Sequence, residues 1–224
     1  DLAAIAWLPP LLRWAVLDAR FAPDAAACEA LDHGGACWGV VAEKYRFILL
    51  GRYPGEALWR PIVAALLMAG TWLAGAAGRV HGRWAAWAIL APPVLAAALL
   101  GGGFGGLEPV PTELWGGLPL TLLLTTAGLA GALPLGVAIA YGRRAPSSAL
   151  RGLLAAGVEL ARGIPMVAVL FMASFLLPLF FPQGAGLDML SRVLIAIIVF
   201  AAAYLSEIIR GGLQALPAEQ AQAA

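Results

Sequence analysis

The chain has 224 residues, of which 62% are hydrophobic and only 12% charged, and its formal net charge is +1. Soluble domains carry about one quarter charged residues, so this composition and a mean hydropathy of +0.86 exclude an ordinary soluble domain and indicate helices in a bilayer. The basic residues are scattered along the chain, which excludes the dense Lys/Arg patch that binds nucleic acid.

Apolar runs of about 20 residues predict an all-α integral membrane protein built as a multi-span helical bundle. Residues 1–17 are apolar but short, and they predict the remaining end of a first span that begins upstream of Asp1. Residues 18–56 form the most polar stretch and predict a small extramembrane segment. The complete spans follow at 57–77 and 84–104, joined by a loop near 78–83, and then, after a loop at 105–117, at 118–141, 152–181 and 188–210.

The short loops predict the orientation of these spans. Loops 78–83 and 142–151 carry arginines, whereas loops 105–117 and 182–187 carry no Lys or Arg. Because Lys and Arg are enriched in cytoplasmic loops, the arginine-bearing loops are predicted to be cytoplasmic and residues 18–56 to lie outside. That segment holds basic residues of its own, but acidic residues outnumber them.

The chain contains two cysteines, Cys28 and Cys37, both in the polar segment. Their spacing lacks the second pair or the histidines of a zinc site, so no metal site is predicted. A disulfide that closes a short exported loop and two unrelated free thiols are both compatible with the sequence.

Ionisable residues inside apolar spans are costly, so they are functional candidates by default. Glu159 and Arg162 lie three residues apart, which predicts that they share one helix face and pair. Gly163 and Pro165 are then predicted to break the helix, about 18 Å along its axis from Arg151 and near the middle of the bilayer. Transporters use such breaks to hold substrate, so these four residues are the predicted substrate path. The alternative is a structural ion pair in a proline-kinked helix.

The same E-x-x-R-G pattern recurs at 207–211. Here Glu207 and Arg210 are predicted to form a structural pair at a cytoplasmic helix end, where Arg210 favours the helix dipole and Gly211 with Gly212 caps the helix. A new short helix is predicted after Pro217.

Several segments, read together, resemble a known transporter family. GGLPLTLLLTTAGLAGALPLGVAIAYGRR, VELARGIPMVAVLFMASFLLPLF and AAAYLSEIIRGGLQALPAEQAQAA resemble, in order and spacing, the membrane subunits of polar amino acid ABC importers, the MetI-like permeases. ACWGVVAEKYRFILLGRYP is similar to the branch that handles general L-amino acids. The resemblance covers nearly the whole chain and implies that residues 118–224 begin the ABC permease core.

This resemblance implies a permease subunit of the bacterial inner membrane with no catalytic residues and no cofactor of its own. In the family, a second permease subunit completes the pore, and a periplasmic binding protein delivers the L-amino acid. Cytoplasmic ATPase subunits bind ATP and Mg and drive transport.

The resemblance further implies that the segment after Leu216 is the start of the EAA loop, whose helix docks into the ATPase. A Gln stands at 222 where the family has Glu, and the chain stops inside the motif, so we expect a fragment of a longer protein. The alternative is a frayed cytoplasmic linker. The predicted coupling residues are Leu216, Pro217, Glu219, Gln220, Gln222, Ala223 and Ala224.

Two other classes compete with the importer subunit. In an ion-coupled secondary transporter, Glu159 would carry protons. A membrane-embedded enzyme is disfavoured because His33 and His81 lie in separate loops and the sequence contains no HExxH or GxSxG motif.

Overall fold

A computed structural model of the chain describes residues 8–29, 34–79, 82, 84–180 and 186–215. The regular secondary structure of these residues is all helical, and the only β-type contact among them is an isolated bridge between Arg20 and Cys37. The predicted all-α fold class is therefore confirmed.

Nine helices are labelled in chain order. The first half of the described chain contains α1 (Leu8–Leu17), α2 (Ala25–Glu29), α3 (Gly39–Leu50), α4 (Trp59–Ala76) and α5 (Trp84–Gly101). The second half contains α6 (Gly117–Gly142), α7 (Ser148–Gly163), α8 (Met166–Phe171) and α9 (Met189–Ala215). After α8 the chain continues as a π-helical turn, Met172–Leu176, and a 3-10 turn, Leu177–Phe180, and we call Met166–Phe180 the ascending arm.

Three helices, α4, α6 and α9, are long and apolar enough to cross a membrane. They lie on the predicted spans 57–77, 118–141 and 188–210, with α9 continuing to Ala215. The predicted span 152–181 is instead a bent pair: α7 and the ascending arm meet at 101°, so the described chain has four spans if that pair is counted as one. Residues 87–101 of α5 form a shorter apolar helix.

Close packing of α6 against α9 forms the centre of the bundle. Gly128, Ala132, Gly136 and Ala140 are buried on α6 at every fourth position, which places them on one helix face. A Cβ on Gly136 would lie only 3.0 Å from Leu205 Cβ. Small residues at this spacing let membrane helices approach closely, so the α6 sequence itself specifies the contact.

Replacing Gly136 by Val should therefore destabilise the protein by about 1 to 3 kcal/mol, the usual cost of overpacking a core. The matched control is Gly70→Val on α4, because a Cβ on Gly70 meets nothing within 4 Å. The measurement is the thermal unfolding midpoint of each variant in detergent. Equal midpoints for the two variants would show that the α6–α9 contact tolerates a larger residue.

The polar segment before α4 is fixed to the bundle by buried hydrogen bonds. Tyr53 Oη donates to the Leu100 carbonyl at 2.7 Å, and Arg60 Nη1 donates to the Glu108 carbonyl at 2.7 Å. Burial raises the pKa of Tyr53, and a hydrogen bond with Arg60 opposes part of that shift. The first bond joins the polar segment to the end of α5. The second joins the start of α4 to the loop after α5.

Cys28 and Cys37 are joined by a disulfide, with their Cα atoms 5.9 Å apart. The indole nitrogen of Trp38 donates to the Ala15 carbonyl at 3.0 Å, next to this cross-link. Of the two alternatives that the sequence left open, the structure contains the disulfide.

The positions of the loops in the structure agree with the orientation predicted from their arginines: arginine-free and arginine-bearing loops lie at opposite ends of the bundle. Thr112 Oγ1 donates to Asp188 Oδ2 at 3.5 Å, which places the arginine-free loops before α6 and before α9 at one end of the bundle. The arginine-bearing turn after α6 lies at the other end, because α6 and α9 run parallel.

A cysteine at Ser147 should react with an impermeant thiol reagent only from the cytoplasm, and one at Glu113 only from outside. Both residues are exposed, and the native cysteines are joined to each other, so the label reports the new site alone. The measurement is labelling of intact cells against inside-out vesicles. Labelling from the reversed sides would contradict the orientation.

Candidate functional site

The carboxylate of Glu207 on α9 is the centre of an arginine cluster. Arg143 Nη1 pairs with Glu207 Oε1, and Arg210 donates to Oε2 from Nη2 at 2.7 Å and from Nε at 2.9 Å. Arg162 Nη1 lies 3.8 Å from Oε1, which is a looser contact. We call Glu207 with these three arginines the Glu207 cluster.

The Glu207 cluster joins three helices. Arg143 directly follows α6, Arg162 lies in the last turn of α7, and Glu207 and Arg210 lie on α9. The side chains of Arg143 and Glu207 are 14% and 17% exposed, whereas that of Arg162 is 44% exposed. Because one carboxylate faces three guanidinium groups, the cluster carries excess positive charge, and removing Glu207 would leave arginines facing one another.

This geometry corrects the predicted pairing of Glu159 with Arg162. The two residues do lie in the same helix, but Arg162 contacts Glu207 on α9 instead, and Glu159 is exposed and takes part in no ion pair within the described part of the chain. The spacing of Glu159 and Arg162 correctly predicts that both lie on one helix. Packing between helices places the carboxylate of Glu207, and not that of Glu159, next to Arg162.

The structure places α7 relative to the other helices, and its predicted depth in the bilayer stays a prediction. Arg162 shares Glu207 with Arg143, so the end of α7 lies level with the arginine-bearing end of α6. The middle of α7 is at the same end, because a Cβ on Gly142 would lie 2.6 Å from Leu154 Cδ1. α7 therefore lies across the end of the bundle, and the ascending arm makes the return toward the other end.

The break at Gly163 and Pro165 is where the sequence predicts it. Gly163 is the last residue of α7, and Pro165, in an extended conformation, precedes Met166 at the start of α8. Tyr204 Oη donates to the Arg162 carbonyl at 3.4 Å, and the Arg162 guanidinium lies 5.6 Å from the Tyr204 ring centroid. Tyr204 thus partners one of the backbone carbonyls that a helix end leaves without an intrahelical bond.

The Glu207–Arg210 pair is present as predicted, but the helix end beside it is not. α9 continues through Gly211 and Gly212 to Ala215, and Arg210 Nη1 also donates to Gln214 Oε1 at 3.2 Å. Glycines are tolerated inside membrane helices, which explains why they do not cap α9 here. The predicted coupling residues, 216–224, lie outside the described residues.

Sequence reasoning missed two arginines. Arg143 was counted only as a loop charge, and nothing local in the sequence indicates its contact with Glu207. Arg192 lies inside the predicted span 188–210, so the rule that singled out Glu159 could have found it. Its Nε atom is buried and has no hydrogen-bond partner in the structure.

The opposite end of the bundle carries a small polar group. The Ser191 hydroxyl donates to Asp188, and this bond lowers the pKa of the Asp188 carboxyl, with burial opposing. A mostly apolar cavity of about 760 Å³ lies between α5, α6 and α9 with Thr112, Asp188 and Ser191 in its wall. Its other walls are largely aliphatic, so it offers few partners for a zwitterion.

Comparison of the sequence with known proteins finds similarity to a transporter family. Residues 132–224, which include the end of α6, all of α7 and all of α9, match the family described as binding-protein-dependent transport system inner membrane component. The chain is 42% identical to the inner membrane amino-acid ABC transporter permease protein YhdY of Escherichia coli K12 over 97% of its own length and 59% of that protein. No solved structure is significantly similar to the chain.

Two further relatives are transport permeases. The chain is 30% identical to the glutamate/glutamine/aspartate/asparagine transport system permease protein BztC of Rhodobacter capsulatus, over 94% of the chain and 60% of that protein. It is 36% identical to the probable glutamine ABC transporter permease protein GlnM of Bacillus subtilis, over 46% of the chain and 47% of that protein. The chain thus spans about three fifths of the length of YhdY and BztC.

Proposed function

Since residues 132–224 belong to the family of binding-protein-dependent transport system inner membrane components, we propose that this multi-pass membrane chain is part of the permease subunit of an ATP-driven importer. Its cargo is an L-amino acid, which moves from the periplasm to the cytoplasm. The similarity to YhdY and BztC, which are named as permeases for amino acids, supports this cargo class.

The observation that carries the mechanism is the convergence of α6, α7 and α9 on Glu207. The three helices meet at the end of the bundle that the arginine-bearing loops predict to be cytoplasmic, where an ATPase would act. Two charge-assisted bonds from Arg210 to Glu207 Oε2 fix the carboxylate within α9, and Arg143, which directly follows α6, binds its other oxygen. The carboxylate therefore links α9 to the end of α6. A movement of the segment after α9 would then be transmitted to both α9 and α6.

Arg162 connects the cluster to the bend. Its contact with Glu207 is long and its side chain is half-exposed, so it can separate from Glu207 at lower cost than Arg143 can. We propose that the bend at Gly163 and Pro165 lines the inner end of the substrate path, with Arg162 free to meet the carboxylate of an amino acid. Glu159, exposed on α7, is a weaker member of that path.

The remaining assignments follow from the proposed permease role. A second permease subunit completes the pore, a periplasmic binding protein supplies the amino acid, and cytoplasmic ATPase subunits bind ATP and Mg. The chain itself then carries out no catalysis and holds no cofactor, its location is the bacterial inner membrane, and 216–224 contact the ATPase. The alternative of an ion-coupled secondary transporter has no support among the relatives.

Purification of the full-length protein from its own host tests the class. The expected result is that an ATPase subunit and a second permease co-purify with a tagged form in mild detergent. A protein that purifies alone, and that shows ion-driven amino acid uptake in that form, would overturn the proposal.

A further inference from the structure

Helix α3 exposes an unusually large number of apolar side chains for a short helix. Its sequence, GVVAEKYRFILL, places six large apolar side chains on the side that faces away from the protein, and these are between 41% and 58% exposed. We call them the apolar face of α3. Its members are Val40, Val41, Tyr45, Phe47, Ile48 and Leu49.

The opposite side of α3 faces the protein. Gly39 is buried, and a Cβ there would lie 2.3 Å from the Asp24 carbonyl oxygen and 2.6 Å from Cys28 Sγ. Arg46 is exposed, and its Nη2 lies 3.1 Å from the position of a Cβ on Gly55, so its guanidinium reaches along the chain. Water on the outer side of α3 would therefore meet mostly apolar side chains.

The end of α3 lies where two spanning helices begin. Gly51, at φ 67°, follows α3 and packs on Gly116, since a Cβ on Gly51 would lie 2.6 Å from Gly116 Cα. α6 starts at Gly117 and α4 at Trp59, and both helices expose apolar side chains in their first turns, with Trp59 at 49% and Leu118 at 47%. α3 thus sits at the level where α4 and α6 enter the membrane.

The length of α3 limits what can cover its apolar face. Its 12 residues span about 18 Å, well short of the roughly 30 Å of a hydrocarbon core, so α3 does not cross the bilayer. Tyrosine is enriched at membrane–water interfaces, and a long lysine side chain can reach the headgroups from below them, so both residue types fit this level of the bilayer.

Lys44 distinguishes a lipid surface from a protein partner. It lies among Val40, Val41 and Ile48 on the helical wheel, its side chain is 55% exposed, and its ammonium group pairs with Glu43. A protein that covered the apolar face would have to bury this ion pair, and its desolvation is costly. At a lipid surface the aliphatic stem of Lys44 packs on apolar groups while the ion pair stays at the level of the headgroups.

We propose that α3 is an interfacial helix, with its apolar face inserted at the boundary between headgroups and acyl chains of the outer leaflet, beside the starts of α4 and α6. This inference concerns the membrane alone and is independent of the transport function. It makes α3 a lateral support that keeps the disulfide-linked segment at the membrane surface.

Nitroxide labels on single introduced cysteines test this placement. Labels replace Val41, Tyr45 and Ile48 in the full-length, oxidised protein, reconstituted with its co-purifying subunits into vesicles of phosphatidylethanolamine and phosphatidylglycerol. Leu66→Cys on α4 is the lipid-exposed control, because Leu66 is 66% exposed in the middle of a span, and Glu113→Cys is the aqueous control.

The expected result is a loss of accessibility to a water-soluble nickel relaxant at all three α3 sites, relative to the Glu113 label, with oxygen accessibility that rises toward the Leu66 label. High nickel accessibility at the three sites would place α3 in water and overturn the proposal. Low accessibility to both relaxants would mean that a protein covers the face, which would overturn it equally. A steady change from lipid at Ile48 to water at Val41 would show a helix that stands away from the membrane and would also contradict an interfacial placement.

Discussion

Replacing Glu207 by Ala should cause the largest loss of stability among single changes at the Glu207 cluster. The change leaves Arg143, whose side chain is 14% exposed, beside two other arginines without their shared counter-ion. Removing one partner of a buried pair costs about 3 to 5 kcal/mol, and the partial exposure of this cluster lowers the expected cost to about 2 to 4 kcal/mol. Uptake by the assembled transporter should fall with it, because the charged link from α9 to Arg143 and Arg162 is lost.

Glu159→Ala is the matched control for this change. It removes the same carboxylate from a helix in the same region, but Glu159 is exposed and forms no ion pair within the described residues. The measurement for this pair of variants is the thermal unfolding midpoint in detergent. Similar midpoints for the two variants would mean that the cluster contributes no more to stability than an exposed carboxylate does.

The three arginines should differ in importance in the order of their contacts. Arg143 is the most buried and Arg210 makes two short bonds, whereas Arg162 is half-exposed and more distant. Exposed pairs are worth little, so Arg162→Ala should leave stability nearly unchanged. Any uptake defect in Arg162→Ala at normal stability would therefore report a role in the substrate path rather than in the fold.

A bulky charged residue at Ala223 should abolish the stimulation of ATP hydrolysis by substrate. The prediction rests on the resemblance of 216–224 to a docking helix whose small residues allow close approach to the ATPase. Ala223→Arg should leave membrane insertion and pairing with the second permease intact, because the segment is too polar for the bilayer. The measurement is ATPase activity of the assembled complex with and without binding protein and amino acid.

Arg151→Ala serves as the control for a surface change at the same end of the bundle, where Arg151 is exposed and donates to the carbonyls of Ala145 and Pro146. Deleting 219–224 should reproduce the Ala223→Arg result. Full stimulation in both altered proteins would place the coupling surface elsewhere and would refute the alignment of this segment with the family motif.

The spanning helices could be predicted because hydrophobic length is a local property. α4 and α6 begin and end within a few residues of the predicted spans, since a long apolar run has no alternative to a helix in lipid. The bend at Gly163 and Pro165 was predictable for a similar reason, because proline and glycine act on the backbone beside them.

The partner of Arg162 could not be predicted, because it lies on another helix. Sequence spacing identified Glu159 as a possible partner within α7, but the packing of α7 against α9 brings Glu207 to the arginine instead. The direction of α7 is not a local property either: a helix that starts at a loop can cross the membrane or lie across the bundle end, and contacts with other helices decide between the two. The role of Arg143 was hidden for the same reason.

The most direct test of the central claim is amino acid uptake into vesicles that contain the full-length protein with its co-purifying subunits. The account predicts uptake that requires binding protein outside and ATP at the cytoplasmic face, and that is unaffected when ion gradients are collapsed. Uptake that continues without ATP and stops when the proton or sodium gradient is removed would contradict it.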